Sequence, residues 1–124
     1  MAKILVIEDN AANRTLATFL LQSAGHTVIG APDAEVGLAL ARAEQPALIV
    51  MDIQLPSMDG LEATRLLKLD PATSAIPVIA LTALAMKGDE ERIRAAGCDG
   101  YIAKPFAYRE FLLVISAQLA TAAA

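Results

Sequence analysis

The sequence predicts a single α/β domain, a parallel five-stranded sheet covered on both faces by helices. Three observations carry that expectation. Apolar runs such as Ala47-Leu-Ile-Val-Met51 show none of the alternation of a strand with one wet face. They are separated by longer stretches in which apolar residues recur at helical spacing. Helix-starting polar residues and glycine or proline stops punctuate the junctions.

Taken in order, Lys3-Ile-Leu-Val-Ile7 reads as a first buried strand that ends in Glu8-Asp9-Asn10. Asn10 or Asp9 can cap a helix whose apolar stripe is Leu16, Phe19, Leu20 and Ala24, closed by Gly25. Thr27-Val-Ile-Gly-Ala31 is a short second strand. Asp33 caps a helix carrying Val36, Leu40 and Ala43, and Pro46 ends it. The central strand runs from Ala47 and stops at Asp52. After the Pro56 loop a helix spans about Asp59 to Leu69, with Leu61, Leu66 and Leu67 inward, and Asp70–Ser74 is a loop by composition. Pro77-Val-Ile-Ala-Leu81 is a fourth strand ending at Thr82. Asp89-Glu90-Glu91 load the first turn of the next helix with charge that its dipole favours, Ile93 and Ala96 face inward, and Gly97 ends it. Asp99-Gly-Tyr-Ile-Ala103 is a fifth strand stopping at Lys104-Pro105. The last helix shows Phe111, Leu112, Ile115 and Leu119 at helical spacing.

The bulk numbers narrow the class. At 124 residues there is room for one domain, 1–124, with about 3–120 ordered. No stretch approaches the ~20 apolar residues of a membrane span, so no membrane partner is expected. Fourteen acids against ten bases, with no basic run, argue against nucleic acid. The single cysteine, Cys98, fits a reducing, cytoplasmic setting and reads as a small packing residue, and the only histidine, His26, as inert.

In a doubly wound sheet the chemistry lies outside the carboxyl ends of the strands. The strands here end at Glu8-Asp9, Asp52, Thr82 and Lys104, and the fold brings these four segments to one edge. Each residue alone has an ordinary structural reading; their joint placement does not. Crowded carboxylates repel by about 4 kcal/mol per close pair at an effective dielectric of 20, so they require a cation. An all-oxygen ligand set favours Mg²⁺. With a lysine ammonium it would neutralise a transferred phosphoryl group, a hydroxyl could hydrogen-bond that group, and an aspartate is a competent nucleophile towards phosphorus.

Ile7-Glu8-Asp9-Asn10, Met51-Asp52-Ile-Gln-Leu-Pro-Ser-Met-Asp-Gly60, Leu81-Thr82-Ala83 and Lys104-Pro105 together resemble the receiver domain of two-component response regulators, across essentially the whole chain. The resemblance implies a flavodoxin-like (βα)5 sandwich with strand order 2-1-3-4-5. It implies that Asp52 is the phosphoacceptor, that Asp9, Asp52 and the Gln54 carbonyl bind Mg²⁺, and that Glu8 assists through water. Thr82 and Lys104 would contact the phosphoryl group, with Thr82 and Tyr101 as switch residues and a cis bond at Lys104-Pro105. Gln54 and Leu84 would border the path of the hydrolytic water and so control dephosphorylation. The donor would be a sensor histidine kinase or a histidine phosphotransfer protein. The output would be a protein partner bound by the fourth helix, fifth strand and fifth helix. The segment Ala83–Arg92, with no output domain in the chain, is similar to stand-alone cell-cycle receivers of the DivK type. Such a chain is a switch that assists its own phosphorylation and dephosphorylation, not an enzyme.

Two other classes share parts of this pattern. A phosphohydrolase of the haloacid dehalogenase type needs a second aspartate two residues after the nucleophile, where this chain has Gln54, an amide that cannot transfer protons. A flavin or nucleotide module needs a phosphate-cradling loop after the first strand, where Glu8-Asp9 would repel the anion.

Overall fold

The computed structural model describes residues 2–83 and 87–123. Strands and helices alternate as β1 (Lys3–Ile7), α1 (Ala11–Ser23), β2 (Thr27–Ala31), α2 (Ala34–Glu44), β3 (Leu48–Asp52), α3 (Gly60–Leu69), β4 (Val78–Thr82), α4 (Lys87–Ala95), β5 (Gly100–Ala103) and α5 (Tyr108–Ala123). The strands pair in parallel in the order β2-β1-β3-β4-β5, as the resemblance implied.

The interiors of β1, β3 and β4 are apolar on both faces because helices cover both, whereas the edge strand β2 leaves Thr27 and Gly30 exposed. Side chains alternate between faces along each strand. Ile4, Val6, Leu48, Val50, Ile79 and Leu81 join Leu21, Phe111 and Ile115 of α1 and α5. Leu5, Ile7, Ile49, Met51, Val78 and Ala80 join the residues of α2, α3 and α4 on the other side. The helix starts fall where capping chemistry places them. Asn10, Asp33 and Asp59 each accept a hydrogen bond from the backbone N–H three residues on, so of the two candidates for α1 it is Asn10 that caps.

The inward faces differ from the sequence expectation in three helices. In α1 the buried residues are Ala17 and Leu21; Leu16, Phe19 and Ala24 are exposed, and only Leu20 is partly covered. In α2 they are Ala34, Gly37 and Ala41, while Val36 and Ala43 are exposed and Leu40 is partly covered. In α3 Leu61 and Leu67 point inward with Ala63 and Thr64, and Leu66 is exposed. In α2 the reason is close approach. A Cβ on Gly37 would overlap the Ile7 side chain, so α2 lies near enough to β1 that only small residues fit between them. Large apolar residues are displaced to the flanks. The expected inward residues of α4 and α5 hold: Ile93, Ala96, Phe111 and Ile115 are buried and Leu112 and Leu119 partly so.

Candidate functional site

The parallel register carries the strand ends to one edge. Ile7 pairs with Met51, Asp52 with Leu81 and Thr82 with Ala103. The chain therefore leaves the sheet at Glu8, Asp52, Thr82 and Lys104 almost in line. Glu8, Asp52 and Thr82 are buried, whereas Asp9 is exposed. Carboxylate oxygens of Glu8, Asp9 and Asp52 lie within 4.8 Å of one another. The Lys104 ammonium reaches into this group, 3.2 Å from Glu8 Oε1 and 3.3 Å from Asp52 Oδ2. The peptide bond after it, to Pro105, is cis.

Asp52 is held from the loop side as well. The Gln54 N–H donates to Asp52 Oδ1 at 3.1 Å. The loop that supplies it is tightly folded: Met58 N–H donates to the Pro56 carbonyl at 2.7 Å, across Ser57 in the left-handed region at φ 69°. Gly60 then starts α3 flush against the strand end. A Cβ there would overlap the Asp52 carbonyl oxygen and sit 2.8 Å from Ile53 Cα, so only glycine fits.

The electrostatics are those of a site short of positive charge. Glu8 is pushed up to about 7, first by burial, then by the hydrogen bond its protonated form gives Asp52 and by repulsion from Asp52. Lys104 and Asn13 oppose this without cancelling it. Glu8 Oε2 is buried and finds no hydrogen-bond partner among the described residues. A buried acceptor without a donor costs about 1–3 kcal/mol, more when charged, and a proton or a cation relieves it. The three carboxylates and the orphaned Glu8 oxygen fit a hard divalent cation held by oxygen, which is Mg²⁺ chemistry.

The expected site residues divide clearly. Glu8, Asp9, Asp52 and Lys104 converge. Thr82 ends the neighbouring strand fully buried, close to Ile53, Asp89 and Arg92. Tyr101 lies further along, half-buried on β5 against the core under α2, α3 and α4. Gln54 is exposed beside Asp52. Leu84 lies outside the described residues. Beside the acids a cleft of about 150 Å³ opens, lined by Glu8, Asn13, Leu16, Lys104 and Phe106 among others. Sequence reasoning missed two contributors to this region. Asn13, through its side-chain hydrogen bond, opposes the rise of the Glu8 carboxyl, and Arg14 donates to the Glu8 carbonyl at 2.7 Å. Neither carries a motif, since both contacts depend on how α1 folds back over its own first loop.

The site is thus a cluster of acids with a lysine at the carboxyl edge of a doubly wound parallel α/β sheet. The model of the response regulator receiver domain matches residues 4–116. The chain is 46% identical over 119 residues to the polar-differentiation response regulator DivK of Brucella anthropi, spanning 96% of this chain and 97% of that one, and equally similar to DivK of Brucella ovis. Among solved structures, the chemotaxis protein CheY4 of Vibrio cholerae superposes with a TM-score of 0.89 at 27% identity, covering 94% of this chain and 98% of that one. The receiver domain of the sensor histidine kinase PA1611 of Pseudomonas aeruginosa does so with a TM-score of 0.89 at 34% identity, covering 96% and 98%. That structure carries a magnesium ion coordinated in its active-site cleft. This chain belongs to the response regulator receiver family. It is a receiver domain of two-component signalling, and none of these relatives is a phosphohydrolase.

Proposed function

We propose that Asp52 accepts a phosphoryl group from a histidine kinase or histidine phosphotransfer protein, and that its phosphorylated form is read by a protein partner. One observation carries this reading: the buried Asp52 carboxylate sits 3.3 Å from the Lys104 ammonium at the edge where Glu8 and Asp9 also arrive.

In the proposed transfer an Asp52 oxygen attacks phosphorus, the bond from phosphorus to the donor's imidazole nitrogen breaks, and its electron pair leaves with that nitrogen. The product is an acyl phosphate on Asp52. Asp9, Asp52 and the Gln54 carbonyl would hold Mg²⁺, with Glu8 reaching it through water. When bound, the ion offsets the crowding of the acids and the charge on the phosphoryl oxygens. Lys104 then exchanges its ion pair with Asp52 for one with the phosphoryl group, and the Thr82 hydroxyl donates a hydrogen bond to that group. The Gln54 N–H keeps the acceptor carboxylate oriented.

The read-out follows from what these contacts move. Drawing Thr82 towards the phosphoryl group frees space next to β5, and Tyr101 would turn further inward. The α4–β5–α5 surface is then a two-state element biased by one covalent event. Gln54 and Leu84 would set how long the phosphoryl group survives, and residues 1–124 would act as one receiver unit in the reducing cytoplasm. Incubation with acetyl phosphate and Mg²⁺, followed by intact-mass measurement, tests the core of the proposal. The wild type should gain a single phosphoryl adduct and Asp52→Asn none; an equal adduct on Asp52→Asn would end it.

A further inference from the structure

We infer that Arg14 is a positioning residue for the metal-binding loop: laid across Gly30, its guanidinium fixes the backbone of Glu8-Asp9 so that their carboxylates face a divalent cation. The inference rests on the Mg²⁺ reading above and assigns a role to a residue outside its ligand set.

Arg14 Nη1 donates to the Glu8 carbonyl at 2.7 Å, a charge-assisted bond to the backbone of the residue that follows β1. The amide of the same residue donates to the Ala31 carbonyl of β2 at 3.0 Å. Glu8 is thus held at both backbone groups, one by β2 and one by Arg14. Arg14 is itself fixed at its root, because its amide donates to the Asn10 carbonyl at 2.9 Å in the capped first turn of α1. Its stem is fixed by β2. A Cβ on Gly30 would lie 3.2 Å from Arg14 Cδ and 3.6 Å from Cγ, so the glycine leaves a trough that the side chain fills. A glycine inside a strand weakens it and commonly marks such a close approach. Here what approaches is the arginine that reaches back to Glu8.

Electrostatics and positioning make opposite claims, which is what makes the role testable. A cation near the acids repels Mg²⁺, so an arginine acting through charge alone would weaken metal binding, and its removal would tighten it. An arginine that positions the loop strengthens binding, and its removal would loosen it.

The test is titration of Mg²⁺ alone, without phosphoryl donor, by calorimetry on wild type, Arg14→Met, Arg14→Lys and Gly30→Val. Circular dichroism checks that each is folded at the working temperature. Arg14→Met should weaken Mg²⁺ binding about tenfold, the scale at which outer-shell partners of metal ligands act. Gly30→Val keeps every charge but crowds the stem, and should weaken binding in the same direction. Arg14→Lys keeps the charge and one donor and should recover part of the loss. Unchanged or tighter binding in Arg14→Met, or in Gly30→Val should Arg14→Met not fold, overturns the inference while leaving the site reading intact. A wild type that binds no Mg²⁺ overturns that reading and this one together.

Discussion

The buried Glu8 carboxyl gives the metal-free protein a pH dependence whose sign and size follow from the site. Its value rises from the ordinary 4.5 to about 7 in the folded chain. The folded state therefore binds a proton more tightly than the unfolded one. The stabilisation is fully present below pH 4.5 and is lost as pH rises through 7. A rise of that size corresponds to about 3 kcal/mol at 1.36 kcal/mol per pH unit. For a chain of this length that is roughly 10 °C in melting temperature. His26 runs the other way, because burial, then the nearby N-terminal charge, lowers its pKa and favours its neutral form. The informative quantity is thus the difference between wild type and Glu8→Gln, in which His26 cancels. The glutamine keeps an acceptor for Lys104 and mimics the protonated acid. In EDTA, melting curves from pH 4 to 8.5 should show the wild type losing stability relative to Glu8→Gln, mostly between pH 4.5 and 7. Adding Mg²⁺ at pH 8 should restore much of the loss, by about 2.7 kcal/mol at a hundredfold excess over its dissociation constant. Parallel curves for the two proteins across this range would refute the assignment of a shared, charge-starved site.

Three further outcomes follow. Lys104→Met leaves Glu8 and Asp52 without their shared cation, so it should lower the metal-free melting temperature at pH 8 and slow adduct formation with acetyl phosphate. A melting temperature and labelling rate equal to wild type would contradict the bridging role. Gly60→Ala forces a Cβ into the Asp52 carbonyl and should cost about 1–3 kcal/mol in urea denaturation, with reduced labelling of Asp52; unchanged stability would show that α3 can back away freely. Thr82→Ala should keep phosphorylation at Asp52 yet weaken phosphorylation-dependent binding to a cognate partner, and full discrimination in a pull-down would reject the coupling.

Much of this molecule is written locally. The unbroken run from Ala47 to Met51 announces a doubly covered strand because in a two-sided core every strand position is apolar. Asn10, Asp33 and Asp59 start helices through hydrogen bonds only three residues long. The convergence of Glu8, Asp9, Asp52 and Lys104 was also legible, since a parallel sheet with helical crossovers places every strand's carboxyl end on one edge. What the sequence could not decide is anything set by how closely two elements approach. Leu16, Phe19, Val36 and Leu66 have the right spacing for an inward face, yet Ala17, Gly37, Ala41 and Ala63 take it. Apolarity rewards any burial, while α2 lies so close to β1 at Gly37 that only a small side chain fits there. The rise of Glu8, the reach of Lys104 to two acids and the grip of Arg14 on the Glu8 carbonyl belong to the same class. Each is a distance between residues far apart in the chain or folded back on themselves. Only the assembled sheet and its helices fix such distances.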